Sequence, residues 1–224
     1  MKKKAVVIAS GGIDSSTLLF KTVNENYDTY AITFIYGQKH KREIESAKKV
    51  SNSLEISHKI VDLSSVKEIL SGSALTDSSI DIPEVPAEAT HYETLRATIV
   101  PNRNSIFLSI AIGYAVSIGA DLVFFGAHHS DRGVYPDCRR EFVEAFQHSE
   151  QLANDNIDLK IEAPFVNIDK SQIVKLGAEL GVPYQETWSC YRGEELHCGI
   201  CSSCRERKRA FIEAGIYDPT KYKQ

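Results

Sequence analysis

Apolar residues fall along this chain in short unbroken runs, separated by longer stretches with helical spacing. The first run, Lys4 to Ala9, has no polar alternation, which suits a strand buried on both faces. A glycine-rich turn follows, and then Ser15 to about Asn26 carries Leu18, Leu19 and Val23 at helical spacing. Thr29 to Tyr36 is rich in β-branched and aromatic residues and predicts a second strand, broken by Gly37. Lys41 to Leu54 predicts a charged helix with Ile44, Ala47, Val50 and Leu54 inward, and His58 to Leu63 a third strand. Residues 71–100, with Pro83 and Pro86 among Gly, Ser and Asp and Pro101 just beyond, predict a long irregular loop. Asn104 to Gly119 reads as a small-residue-rich helix buried on most sides, and Leu122 to Ala127 as a fourth strand that Gly126 ends. After a polar loop, His128 to Asp137, come a helix from Arg140 to Asn154, a fifth strand from Lys160 to Phe165, and a helix from Lys170 to Leu180 closed by Gly181 and Pro183.

Strands alternating with helices imply a doubly wound, five-stranded parallel sheet of the α/β class. Ligands of such sheets bind beyond the carboxyl ends of the strands, where strand order reverses. The residues just after strands 1, 2 and 4 therefore hold the most interest. Residues 1–186 are expected to form a nucleotide-binding domain, and 187–224 a small C-terminal subdomain packed on it.

Of the 224 residues, 42% are hydrophobic and 25% charged, an ordinary globular balance. The formal net charge of −4 argues against gripping a nucleic-acid duplex and favours small-molecule ligands. The apolar run at the N-terminus is too short for a signal peptide, and no stretch reaches membrane-spanning length, so a soluble cytoplasmic protein is expected.

The turn after the first strand reads Ser10-Gly11-Gly12-Ile13-Asp14-Ser15, with Ser16 next. Glycines at a strand-to-helix turn let backbone N–H groups face an anion, and the helix start adds partial positive charge. The turn lacks the lysine of a Walker loop and the spacing of a dinucleotide fingerprint. Asp14 would repel phosphate unless it caps the helix or meets the phosphates through Mg²⁺. Near the C-terminus, Cys190, Cys198, Cys201 and Cys204 have the spacing of a four-thiolate Zn²⁺ site, one per chain and structural because no coordination position stays open, with an iron–sulfur cluster, a redox pair or unrelated buried thiols as the alternative readings. His197 is a weaker ligand candidate than its neighbour Cys198. The basic run Arg205 to Arg209 reads as a solvated helix face.

The loop resembles the pyrophosphate loop, Ser-Gly-Gly-x-Asp-Ser, of the ATP pyrophosphatases, which split ATP to AMP and pyrophosphate on an adenine-nucleotide-α-hydrolase-like, Rossmann-like fold. Further stretches run in order along nearly the whole chain. They are Tyr36-Gly37-Gln38-Lys39-His40, Val100-Pro101-Asn102-Arg103-Asn104 with Phe107-Leu108-Ser109, Gly133-Val134-Tyr135-Pro136-Asp137-Cys138-Arg139, Lys170 with 177–183, and Thr187-Trp188-Ser189-Cys190-Tyr191 leading into the cysteine knuckle. Together they resemble the 7-cyano-7-deazaguanine synthase family. Asn102 stands where many members have glycine, and Val134 interposes before Tyr135.

The resemblance implies that 7-carboxy-7-deazaguanine is adenylated by Mg-ATP, converted by ammonia to the amide, and adenylated again to release the nitrile, a precursor of queuosine and archaeosine. It implies ATP contacts along Ala9, Ser10, Gly11, Gly12, Ile13, Asp14, Ser15, Ser16, Thr17, Leu18 and Leu19 and at Gly126, with the strand-2 backbone at Phe34 and Tyr36 meeting adenine. Asp14, Arg103 and Asp131 are expected to carry catalysis, and Arg103, Asn104, Asp131, Tyr135 and Asp137 to hold the deazapurine. Cys138 is expected to be a buried thiol, and one of His128 and His129 structural. A homodimer is implied, with no direct nucleic-acid or membrane partner. An alternative, a pyrophosphate-loop enzyme adenylating a tRNA base, would need a tRNA-binding extension or a cysteine pair outside the metal site, and only Cys138 is left over. A binding module without turnover would bind ATP and leave it intact.

Overall fold

The computed structural model describes residues 2–39, 41–85, 95–155 and 157–223. His40 of the second motif, and Pro86 with the middle of the long loop, lie outside the described residues. The sheet contains β1 (Lys4–Ile8), β2 (Asp28–Ile35), β3 (Ser57–Asp62), β4 (Leu122–Phe124) and β5 (Lys160–Glu162), all parallel, in the order β3-β2-β1-β4-β5. The chain winds outward through β2 and β3, then crosses β1 to lay down β4 and β5. The order therefore reverses between β1 and β4.

Side chains of successive strand residues point to opposite faces. Ala5, Val7, Ala31, Leu122 and Phe124 enter one apolar cluster, while Val6, Ile32, Phe34 and Val123 enter the other. Both faces of β1 are covered, which is why its sequence shows no alternation. The first face packs against α1 (Ile13–Asn24), α2 (Arg42–Ser53), α5 (Lys170–Glu179) and α6 (Ser202–Ala214). The second packs against α3 (Arg103–Ile118) and α4 (Arg140–Ala153). Short 3-10 turns run over Ser64–Glu68, His129–Gly133, Pro136–Cys138 and Tyr184–Glu186.

Several expectations need correction. α3 is buried on one face only: Leu108, Ala111, Ile112 and Ala115 pack inward, while Ser109, Gly113, Val116 and Ser117 face solvent. Its high apolar content reflects small residues and a few outward aliphatics. β4 and β5 end earlier than their apolar runs, because Phe125, Ala127 and Phe165 are buried by packing after the ladder stops. Asn102 caps α3 with φ +56°, in the left-handed region that favours glycine and that asparagine enters more readily than most other residues. The departure at this position therefore keeps the backbone shape. Among the described residues no helix is long and apolar enough to cross a membrane.

Candidate active site

β1 ends at Ile8, and α1 begins at Ile13 with Gly12 as its cap residue. No side chain caps this helix start. The first helical bond runs from Ser16 N–H to Gly12 C=O, at 3.0 Å, so the N–H groups ahead of it point out of the helix. The loop is cinched by Ser15 Oγ, which accepts the Ser10 N–H at 3.1 Å and lies 3.1 Å from Ser10 Oγ. Gly11 has φ +80°, and a Cβ there would lie 2.2 Å from the Glu43 carbonyl oxygen of α2. Only glycine lets the loop sit this close to α2.

The loop forms one wall of a cavity of about 260 Å³ at the switch point. Ala9, Ser10, Gly12, Ile13, Asp14, Ser15, Phe34, Tyr36, Gly126, Arg103, Asn104, Asp131 and Tyr135 all line it, which gathers most of the residues singled out from sequence. Six others lie elsewhere. Gly11 turns its backbone toward α2. Ser16, Thr17, Leu18 and Leu19 are buried in α1, away from the cavity. Asp137 turns to the start of α3, where its carboxylate accepts the Asn104 N–H at 3.3 Å. It serves the helix and is not among the cavity's lining residues.

At one end of the cavity the rings of Phe34 and Phe107 stack 4.3 Å apart, and Tyr36 meets Phe107 edge-on. The backbone of Phe34 and Tyr36, expected to meet adenine, is already engaged in part by Gln38. The buried Gln38 amide takes the Tyr36 N–H at 2.8 Å and donates to the Phe34 carbonyl at 3.0 Å. Their contribution to the wall is aromatic surface. Burial pushes the Tyr36 hydroxyl up to about 12. Beside it stands Arg103, Nη1 donating to the Tyr36 hydroxyl at 3.5 Å; among the described residues no carboxylate pairs with this guanidinium. A charged fork without an acid partner at a cavity wall suits phosphate or carboxylate.

At the other end charges converge from four elements. Lys170, at the start of α5, places Nζ 3.2 Å from Asp14 Oδ2 and 2.6 Å from Glu206 Oε2 of α6. His128 Nε2 lies 3.4 Å from Asp131 Oδ2 and 3.9 Å from both Asp14 and Glu206. Burial alone would lower the Lys170 pKa, but the carboxylates of Asp14, Glu206 and Asp131 outweigh it and hold it above the usual lysine range. Burial, aided by Glu206 and Asp14, pushes Asp131 above the usual carboxylate range. Asp14 does not cap α1: its carboxylate faces this cluster, and its Oδ1 is buried without a hydrogen-bond partner. His128 is buried and His129 exposed. Cys138 is buried, accepts from Asn104 Nδ2 at 3.4 Å, and is pushed up by burial and by Asp131, which keeps it a thiol.

The basic run of α6 is not a solvated face throughout. Arg207 is fully buried, and Glu206 lines the cavity; Arg209 alone of the three is exposed, paired with Glu213. Sequence reasoning passed over Glu206 because it sits inside a run of cations. Lys170 was visible as a motif residue, but nothing local indicated that it meets Asp14.

The four cysteines converge as expected. Their Sγ atoms lie within 4.8 Å of one another, and all four residues are buried. Tetrahedral Zn–S bonds of about 2.3 Å place sulfurs about 3.8 Å apart, so this donor set fits Zn²⁺. His197 is not part of the set. Its Nε2 accepts the Ser189 N–H at 3.1 Å, its ring lies over Trp188, and burial lowers its pKa to about 4.

An α/β sheet with a Ser-Gly-Gly-x-Asp-Ser turn at the switch point, facing a cation-bearing cavity, defines the pyrophosphate-loop class of nucleotide-binding folds. A similar fold is seen in the NMN synthetase of Francisella tularensis, with TM-score 0.53 and 16% identity over 96% of this chain and 84% of that one. Within the class the assignment is closer. The model of the family described as "Queuosine biosynthesis protein QueC" matches residues 4–215, and the chain belongs to that family. It is 49% identical over 221 residues to the 7-cyano-7-deazaguanine synthase of Caldicellulosiruptor saccharolyticus, covering 98% of this chain and 95% of that one. It is 50% identical over 216 residues to the synthase of that name from Archaeoglobus fulgidus, covering 96% and 89%.

Proposed function

We propose that this protein is a 7-cyano-7-deazaguanine synthase, converting 7-carboxy-7-deazaguanine and ammonia to the nitrile at the expense of two ATP. A single observation carries the reading: the Ser10–Ser15 loop, Arg103 and the Lys170 cluster face one cavity in a chain of this family.

The physical logic is that neither a carboxylate nor an amide oxygen leaves readily. Each of the two C–O bonds is broken only after its oxygen is joined to phosphorus, as an acyl and then an imidoyl phosphate, so that AMP carries the oxygen away. The nitrogen enters as ammonium with four hydrogens and ends as a nitrile with none, so basic groups must lie close. In this reading the loop N–H groups, Ser10, Ser15 and Lys170 hold the phosphates, and the stacked Phe34–Phe107 surface receives adenine. Arg103 offsets negative charge at the reacting carboxylate and α-phosphate. Asp131 stands where it can accept a proton. Asp14, with one carboxylate oxygen lacking a partner, fits as a ligand to Mg²⁺, which when bound with ATP neutralises phosphate oxygens. Zn²⁺ in the four-cysteine site supplies folding energy. Residues 1–186 then form the nucleotide-binding domain and 187–224 the metal-binding subdomain. The reaction belongs in the cytoplasm, where thiols stay reduced, and the homodimer is part of the same reading.

Incubating the protein with the deazaguanine acid, an ammonium salt and Mg-ATP tests the proposal. Nitrile and AMP are expected, each dependent on the acid. AMP release that ignores the acid would refute it.

A further inference from the structure

The segments on both sides of the four cysteines reach the cavity that the phosphate loop lines, and one buried arginine ties them together. Upstream of Cys190, the Trp188 N–H donates to the Gly11 carbonyl at 2.8 Å. That bond fixes more than a distance. The Gly11 carbonyl and the Gly12 N–H belong to one planar trans peptide and point in opposite directions. Holding the carbonyl toward Trp188 turns the Gly12 N–H the other way, on the cavity wall, where it meets Ser10 Oγ at a long 3.4 Å. A Gly-Gly peptide rotates at little steric cost, and the Trp188 bond is the shorter of the two that keep it in this orientation.

Downstream, Cys201 is the cap residue of α6, and positions three apart share a face. Cys201 and Cys204 face the metal cluster, whereas Ser203 and Glu206 face the cavity. One turn beyond Cys204 comes Arg207, whose side chain is 0% exposed. Its Nη1 donates to Thr187 Oγ1 at 2.8 Å and to Ser189 Oγ at 3.2 Å, and Nη2 donates to the Tyr184 carbonyl at 3.0 Å. Nε faces Asp218 Oδ1 at 3.3 Å. The guanidinium thus grips the residues immediately before and after Trp188. A planar fork can do this in three directions at once; a lysine ammonium on a flexible stem cannot match it.

We propose that Arg207 is a positioning residue for ATP binding: it fixes Thr187 and Ser189 so that Trp188 holds the Gly11–Gly12 peptide with its N–H toward the phosphates. Through α6 the metal centre then governs nucleotide affinity as well as stability. The proposal rests on the reading of the cavity as the ATP site.

The test is calorimetric titration of the full-length, metal-loaded protein with Mg²⁺ and a non-hydrolysable ATP analogue. Alongside it run metal analysis and thermal melting. Arg207→Lys is expected to weaken the analogue about tenfold, the scale of one well-placed hydrogen bond to a charged group, with metal content unchanged. Thr187→Val removes the inner Arg207 bond, together with the Thr187 hydroxyl's own bond to the Tyr184 carbonyl, and is expected to weaken binding about threefold, a fraction of one such bond's worth. Asp218→Asn loosens only the outer end; it should lower the melting temperature while affinity stays within about twofold. Chelating the metal from the wild type should cost as much affinity as Arg207→Lys, and chelating the variant should cost little more. Wild-type affinity in Arg207→Lys, or equal losses in Arg207→Lys and Asp218→Asn, would overturn the proposal. If Arg207→Lys does not fold, unchanged affinity in Thr187→Val would do so. A wild type that binds the analogue as described but makes no nitrile would sink the functional reading and leave this one standing.

Discussion

Gly11→Ala offers the sharpest test of how the loop is held. Gly11 has φ +80°, and its added Cβ would sit 2.2 Å from the Glu43 carbonyl oxygen, 2.7 Å from the Ala47 nitrogen and 2.9 Å from the Ser46 Cβ. The first two neighbours are helix backbone, which cannot swing aside as a side chain can. The left-handed conformation costs a non-glycine residue about 1–2 kcal/mol. Forcing the loop and α2 apart adds roughly 1–3 kcal/mol, the usual scale of overpacking. A total of about 2–5 kcal/mol is a large part of the stability of a single domain. Gly12→Ala is the control: Gly12 has φ −79°, and its nearest neighbours would be Ser10 Oγ at 3.5 Å and the Trp188 carbonyl oxygen at 3.7 Å. Urea unfolding of both variants, followed by fluorescence of the sole tryptophan, Trp188, gives the two costs directly. Gly11→Ala should unfold at much lower urea, and Gly12→Ala within about 0.5 kcal/mol of the wild type. A Gly11→Ala protein as stable as the Gly12→Ala protein would refute the close loop–α2 packing.

Asp131→Asn should raise stability at neutral pH while abolishing nitrile formation. The folded pKa of Asp131 is raised by burial, so the native state holds its proton more tightly than the unfolded chain does. Its contribution is therefore full below the unfolded value and is lost as pH rises through the folded one. Urea titrations from pH 4 to 7 should show a downward slope in the wild type that is smaller in the variant. Lys170→Met leaves Asp14 and Glu206 without their shared cation, and turnover should fall about a hundred- to a thousandfold, as when one preorganised electrostatic group is removed. Steady-state AMP release measures it, and a loss below about tenfold would contradict the role given to Lys170. Cys198→Ser should bring zinc below one per chain and render 187–223 sensitive to protease; retention of full metal would show that three thiolates suffice.

The strands, the switch point and the phosphate loop were legible because each is written locally. An unbroken apolar run marks a doubly covered strand, and six consecutive residues carry the loop. The cysteine site was legible for the same reason, with three of its ligands within seven residues. The cation cluster was not, because Lys170 and Glu206 are 36 positions apart and Asp14 comes from the far end of the chain. Arg207 and Arg209 look alike in sequence; only tertiary packing buries one against Thr187 and leaves the other in solvent. Asp137 shares a motif with Tyr135, yet its carboxylate goes to α3. The bonds of Gln38 to the Tyr36 N–H and the Phe34 carbonyl link residues two and four positions apart, and no periodicity announces them.

The central claim is that both carboxylate oxygens of the deazaguanine acid leave on AMP. Acid labelled with oxygen-18 at both positions, turned over with ammonium and Mg-ATP and followed by mass spectrometry, tests it directly. The account predicts unlabelled nitrile, pyrophosphate without label, and two AMP molecules per nitrile, each carrying one labelled oxygen. Label in pyrophosphate, or AMP formed without label, would contradict it.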